Sequence, residues 1–503
     1  MDLSFQTTPL RFLKRIAREV CYQEETADTI VPDSFPDISA ITDCYANAVL
    51  RGKDCRSGSV ILSGGIKAAI LYHQDEDTTP RKLELYIPFT TKFENPELRE
   101  HAQVICTVRI RSVDARMINS RKAMLRVNLG CEMTAYEEAE EKLYTPEYVP
   151  ETLQLKENTF RVMLPMETAE RSFVIADTLE LPAGLPVIRD IYKVQCRADL
   201  ADKKLVGNKG IFKGTLWFKI VYLSEDDNLY VWQQLIPYSQ YCEFRQDYDA
   251  GHMDVIPAVT GYDLETEQGG TQKQVSLTVH ILAQCMVSGF REIHVLEDAF
   301  AMSGTLKPEW KTYSIQSDID RQTTEKLIRH GFETSLQDIL DVDLYADYAD
   351  DQKHSEQCQV TLPLYFRVLG LDRDGRIASC VTKTDASEDF ALSGKANVDV
   401  FLQTISDISA TVGDGRAEIR CTMRADLDFY AEQELRTLCG GEIDMSLRDE
   451  KRPSVILRLA GNSDSIWSVA KSCSTSVAAV KTANCLEGDA IQKGTMLLIP
   501  IGT

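Results

Sequence analysis

Residues 64–77 read GGIKAAILYHQDED: a glycine, an apolar run that ends eight residues later at Tyr72, then an acidic turn. Residues 214–227, GTLWFKIVYLSEDD, repeat the pattern with Gly214, Tyr222 and a second acidic turn. A more diverged copy, LPLYFRVLGLDRDG, spans 362–375. Tyr72 and Tyr222 stand 150 residues apart, and Gly370, at the corresponding place in the third copy, follows Tyr222 by 148. So constant a spacing points to duplicated units.

Downstream of each copy, apolar and polar side chains alternate strictly, which assigns one set to the buried face of a sheet because successive strand residues point opposite ways. The inward set is Ala123, Leu125, Val127, Leu129, Cys131 and Met133 in the first unit, and Val275, Leu277, Val279, Ile281, Ala283 and Cys285 in the second. In the third it is Ile419, Cys421, Met423, Ala425, Leu427 and Phe429, with Glu418, Arg420, Thr422, Arg424 and Asp426 facing water. Upstream stand FPDISAI (35–41), LPVIRDI (185–191) and TSLQDI (334–339), and the first two units share Ile87-Pro88-Phe89 and Ile236-Pro237-Tyr238.

These signals predict a mainly β chain of three tandem antiparallel units, sandwiches or open barrels, over 31–140, 166–302 and 313–431. Polar stretches at 141–165, 303–312 and 432–453 read as linkers, the acidic run EEAEE being a solvated face. Two helices are expected outside the C-terminal region. One is the amphipathic Leu10–Cys21 stretch within the N-terminal segment 1–30, and the other is QTTEKLIRHGF around Arg329.

Residues 454–503 form a small module of the order β-α-α-β. Asp464 or Ser465 can cap a first helix bearing Ile466, Val469 and Ala470 on one face, and one of Ser474, Thr475 and Ser476 can cap a second bearing Val477 and Val480. VILRLA (455–460) precedes them and TMLLIPI (495–501) follows. Trp467, in the first helical turn, suits either core packing or stacking on a ligand. The run from Asp464 to Ala470, Ser476-Val477, Asn484 and Gly494 to Pro500 resemble a LysM module. Ser463 and Ser465 depart from the Gly and Thr of its glycan loop. The resemblance implies a partner- or glycan-binding surface at Asp464, Ser465, Ile466, Trp467, Asn484, Cys485 and Leu486.

Ahead of such a module, the Pro36-x-Ile38-x-x-Ile41 pattern, GGIKAAILY, Ile87-Pro88-Phe89 and INSRKAMLRVNL (118–129) resemble the SPOCS-domain proteins of spore-forming clostridia. That likeness covers the first unit best, the second in most respects, and the third by position and strand pattern. It implies a non-enzymatic structural adaptor of the spore coat, in the mother-cell cytoplasm at the forespore surface. Its LysM module would dock to the coat-basement morphogenetic ATPase, and its repeats to other coat proteins. Two alternatives are a protein binding peptidoglycan or N-acetylglucosamine polymers, and a phage or contractile-injection tail component.

Composition agrees with a protein-binding role. Lys and Arg total 55 against 77 Asp and Glu, a net charge of −22 that repels nucleic acid and anionic membranes. The N-terminus does not read as a signal peptide, and no apolar run is long enough to cross a bilayer. Fourteen scattered cysteines form no CxxC pair, so they read as small core side chains in a reducing compartment.

No catalytic, metal or cofactor site is expected. Asp372 begins an Asp-x-Asp-Gly run, but Lys383 occupies the place of the calcium loop's last ligand, so a hairpin turn is the better reading. Gly207–Thr215 lacks the ending of a phosphate loop. The seven histidines form no HxH or HxxxH pair, and His280 belongs to a solvated sheet face.

Overall fold

The structure, a computed structural model, describes residues 1–503 except 75–78, 249, 267–272, 355–356, 392–395, 446–452, 463, 490 and 502–503, and gives the backbone alone at 351–354 and 402–403. The acidic residues after Tyr72 and the loop residue Ser463 therefore lie outside the described residues.

The chain is mainly β, with curled sheets. The first unit contains β1 (Phe5–Ile30), β2 (Ala40–Arg56), β3 (Ser59–His73), β4 (Arg81–Glu94), β5 (Gln103–Asn119) and β6 (Lys122–Pro146). Strands β1 and β5 flank β6 in one antiparallel sheet, and β2, β3 and β4 form another. The pattern recurs in β7 (Leu153–Glu180), β8 (Ile188–Val206), β9 (Lys209–Ser224), β10 (Leu229–Glu243), β11 (His252–Thr266) and β12 (Gln274–Ala301), where β7 and β11 flank β12. It recurs again in β13 (Thr305–Glu333), β14 (Asp338–Ala346), β15 (Asp350–His354), β16 (Gln357–Leu371), β17 (Ile377–Ala391), β18 (Asn397–Gly413) and β19 (Arg416–Asp444). There β13 and β18 flank β19, and β14 and β15 share one place beside β16. Asp414 and Gly415, both with positive φ, make the tight turn between β18 and β19.

All eighteen side chains assigned to the inner face of the alternating strands are buried, none more than 6% exposed. The scattered sequence signals also meet in space. Tyr72 donates to the Pro36 carbonyl at 3.1 Å, and Tyr222 to the Pro186 carbonyl at 2.9 Å, so each tyrosine fastens the loop that enters its own unit. Arg121, from the INSRKAM stretch, donates to the carbonyls of Val31, Pro32 and Phe35 and to Asp37. The LDRDGR turn is closed by Asp372, whose carboxylate accepts from the backbone N–H groups of Asp374 and Arg376, as the hairpin reading expects.

Both helices expected outside the module are strands. Leu10–Cys21 lies within β1, and QTTEKLIRHGF within β13. Leu10, Leu13 and Ala17 have helix-like spacing because the strand carries an extra residue, Ile16, and is buried on two sides. Leu10 and Phe12 pack in one cluster, Leu13 in another. The expected linkers are likewise mostly strand: β6 and β7 take up most of 141–165, β13 begins at Thr305, and β19 runs on to Asp444.

Those long strands join the units. Ile16 in β1, Met166 in β7 and Ile319 in β13 are each one extra residue in the ladder, and ahead of these bulges the three strands run together. Leu10 and Phe12, Val162 and Leu164, and Tyr313 and Ile315 form one shared core there. Two residues past each bulge, a polar side chain reaches a neighbouring unit. Arg18 pairs with Asp399, Thr168 with Gln103 at 2.7 Å, and Arg321 with Asp254 at 2.9 Å. First unit to third, second to first and third to second, the contacts close a ring. The chain's first residues complete it, with the Leu3 N–H donating to Gly441 O and the terminal amine to Ile443 O.

Two buried ionic layers lie within this ring. In one, Lys193 meets Asp341 at 3.0 Å and Asp43 at 3.7 Å, Lys219 meets Asp341 at 2.6 Å, and Arg367 meets Asp43 at 3.4 Å. Asp343 touches both lysines, so three carboxylates from the first and third units face three cations from the second and third. Burial opposes ionisation of Asp341, but Lys219 and Lys193 overcome it and hold the carboxyl below its usual range. In the other layer, Asp426, assigned to the water face by alternation, is instead buried and paired with Lys203. A sheet face that is solvated in an isolated unit is here an inter-unit surface.

Candidate interaction site

Beyond the ring, β20 (Val455–Leu459), α1 (Ile466–Cys473), α2 (Val477–Asn484) and β21 (Met496–Pro500) follow in the order strand, helix, helix, strand. Ser465 caps α1 in a reciprocal box, its Oγ accepting from Ser468 N while Ser468 Oγ accepts from Ser465 N. Ser476 caps α2. Ile466, Val469, Ala470, Val480, Leu497 and Ile499 form the core between helices and strands.

Of the seven residues singled out for binding, Asp464, Ser465, Ile466 and Trp467 lie at the start of α1 and Asn484, Cys485 and Leu486 at the end of α2 and just past it, and the Ile466 N–H lies 3.5 Å from the Asp489 carbonyl of the loop that follows α2. Most of them hold the module's own structure. Asp464 accepts from Arg458 at 3.1 Å and from the Gly461 N–H at 3.0 Å, and Ile466 is fully buried. Asn484 stitches α2 to β21, donating to Leu498 O and accepting from Leu498 N, both at 2.7 Å. Leu486 is half-buried against the core. Cys485, in the left-handed position that ends α2, is exposed.

Trp467 faces the ring. Its indole packs edge-on against Phe300 with ring centroids 5.0 Å apart, and its Nε1 donates to Asp298 at 2.8 Å. Lys471, one helical turn on, donates to both oxygens of Asp298 at 2.6 and 2.7 Å. Burial disfavours the Asp298 carboxylate, but Lys471, Trp467 and the Ala299 N–H outweigh it and keep its pKa below the ordinary range. The N–H of Val477, at the start of α2, reaches Gln154 Oε1 at 3.3 Å. Sequence reasoning did not find Asp298, Phe300 or Gln154, because an acid beside an apolar run in VLEDAFA carries no signal for what it will receive.

The other face of the module is open. Val455, Leu457 and Leu459 of β20 and Met496 and Leu498 of β21 are 40–66% exposed, with Leu457 opposite Leu498 and Leu459 opposite Met496. Ile456, Leu497 and Ile499 on the inner face form the module's core, so this two-stranded sheet is apolar on both sides. An apolar face of this kind marks an interaction surface more often than a solvated one.

All fourteen cysteines are free; eight are buried, five half-buried and Cys485 exposed, and burial pushes the Cys106 thiol up to about 12 and that of Cys421 up to about 11. Among the described residues, no helix is long and apolar enough to cross a membrane.

Residues 37–118 match the family model described as SipL, SPOCS domain. The span begins in the loop that Tyr72 fastens and ends in β5, so it covers the second sheet of the first unit and the strand after it. No curated protein and no solved structure matches the chain. On the strength of that span, the chain is a SPOCS-domain protein resembling SipL, which relates it to sporulation and the spore coat.

Proposed function

We propose that the chain is a non-enzymatic structural adaptor of spore-coat assembly, acting in the mother cell at the forespore surface. In this reading all three units are SPOCS-like repeats that contact other coat proteins, and residues 454–503 are a LysM module that docks to the coat-basement morphogenetic ATPase. The observation that carries it is the SPOCS match at 37–118, in a chain whose strand pairing recurs twice more. The geometry lends support: a ring closed by buried cores and ion pairs is a stiff platform, and the module attached to it keeps an apolar sheet face open. Ser465, which departs from the glycan loop, serves as a helix cap, in keeping with a protein partner rather than a sugar.

The test is removal of 454–503. Pull-down with the purified ATPase is expected to fail while circular dichroism of the ring is unchanged; binding that persists would take the docking role from this module. Saturable retention on purified cell wall by the full chain would favour the glycan-binding alternative.

A further inference from the structure

We draw no further inference here: the strongest candidate, the open apolar face that Val455, Leu457 and Leu459 of β20 share with Met496 and Leu498 of β21, carries nothing beyond the docking role already proposed for the module, because nothing in the structure shows what covers it.

Discussion

Gly64 lies directly opposite Phe89 across the β3–β4 ladder, and the phenylalanine ring covers the place where a Cβ would stand. A Cβ on Gly64 would come within 2.3 Å of that ring and 2.4 Å of the Val49 carbonyl. Gly214 and Tyr238 repeat the arrangement, and in the third unit the corresponding pair is Leu362 opposite Ala386, the bulk having moved to the other strand. In the first two units, the glycine that opens the repeat and the Ile-Pro-aromatic run downstream are two halves of one contact. Gly64→Ala is therefore expected to destabilise the chain by about 1–3 kcal/mol, as overpacking does. Denaturant unfolding measures it, and an unchanged midpoint would show that backbone and ring move aside freely.

Asp298 gathers Trp467 and Lys471 onto the ring, so Asp298→Ala should release the module without unfolding it. The lost bonds, one of them to an ammonium group, are worth about 1–3 kcal/mol of docking. Hydrogen exchange is expected to quicken at 296–301 and at 466–473 and to stay the same at 275–285. Protection that does not change at 296–301 would mean that Phe300 alone holds the module.

Much of the β architecture was readable because burial on one side of a strand writes a period of two into the sequence, and all three alternating strands show it. Ser465 and Ser476 were among the cap candidates for the same kind of local reason: the hydroxyl that satisfies a helix's first N–H groups sits beside them in the chain. The ring was not readable. Position 43 is Asp, its equivalents 193 and 341 are Lys and Asp, and complementary charge between units leaves no repeat to detect. Leu10–Cys21 was misread because a bulge shifts the phase of alternation and two-sided burial adds Leu13, giving a strand the spacing of a helix. EEAEEKLY looked like a linker because its acids pair across strands, Glu140 with Arg11 and Glu141 with Lys311, while Ala139 and Leu143 face the shared core. Of the seven expected binding residues, Trp467's engagement with the ring was not legible, since its partners lie some 170 positions earlier.

Lys193 is 1% exposed and touches Asp43, Asp341 and Asp343, so Lys193→Met leaves three buried carboxylates facing only Lys219 and Arg367. Removing one partner of a buried ion pair costs about 3–5 kcal/mol, and a loss of that size is expected in denaturant unfolding. The Asp341 carboxyl is held below its unfolded value of 3.8, so its contribution to wild-type stability is present above that pH and fades as the pH falls. Lys193→Met should shrink this acid-side loss, since a weaker cation set depresses Asp341 less. An acid limb equally steep in both proteins would mean that Asp341 owes its low value to Lys219 alone.

In the second ionic layer, Asp254, Asp318, Asp426 and Asp428 gather around Lys203 and Arg321. Burial, with Asp254 and Asp318 close by, pushes Asp428 up to about 8, although Arg321 donates to it at 2.9 Å. Burial likewise raises Asp318 to about 6. A carboxyl whose folded pKa exceeds its unfolded value favours the fold while protonated. That contribution is complete below about pH 4 and is lost as the pH rises through 6 and 8. Wild-type stability is expected to fall over this interval, by at most about 1.4 kcal/mol per pH unit for each group. Asp428→Asn keeps the shape and removes the titration, so its melting temperature should exceed the wild type's at pH 8.5, and the gap should narrow towards pH 5. Melting curves across pH 5–9 decide the matter: parallel profiles would show that Asp428 is ionised throughout, its charge balanced by Arg321 and Lys203.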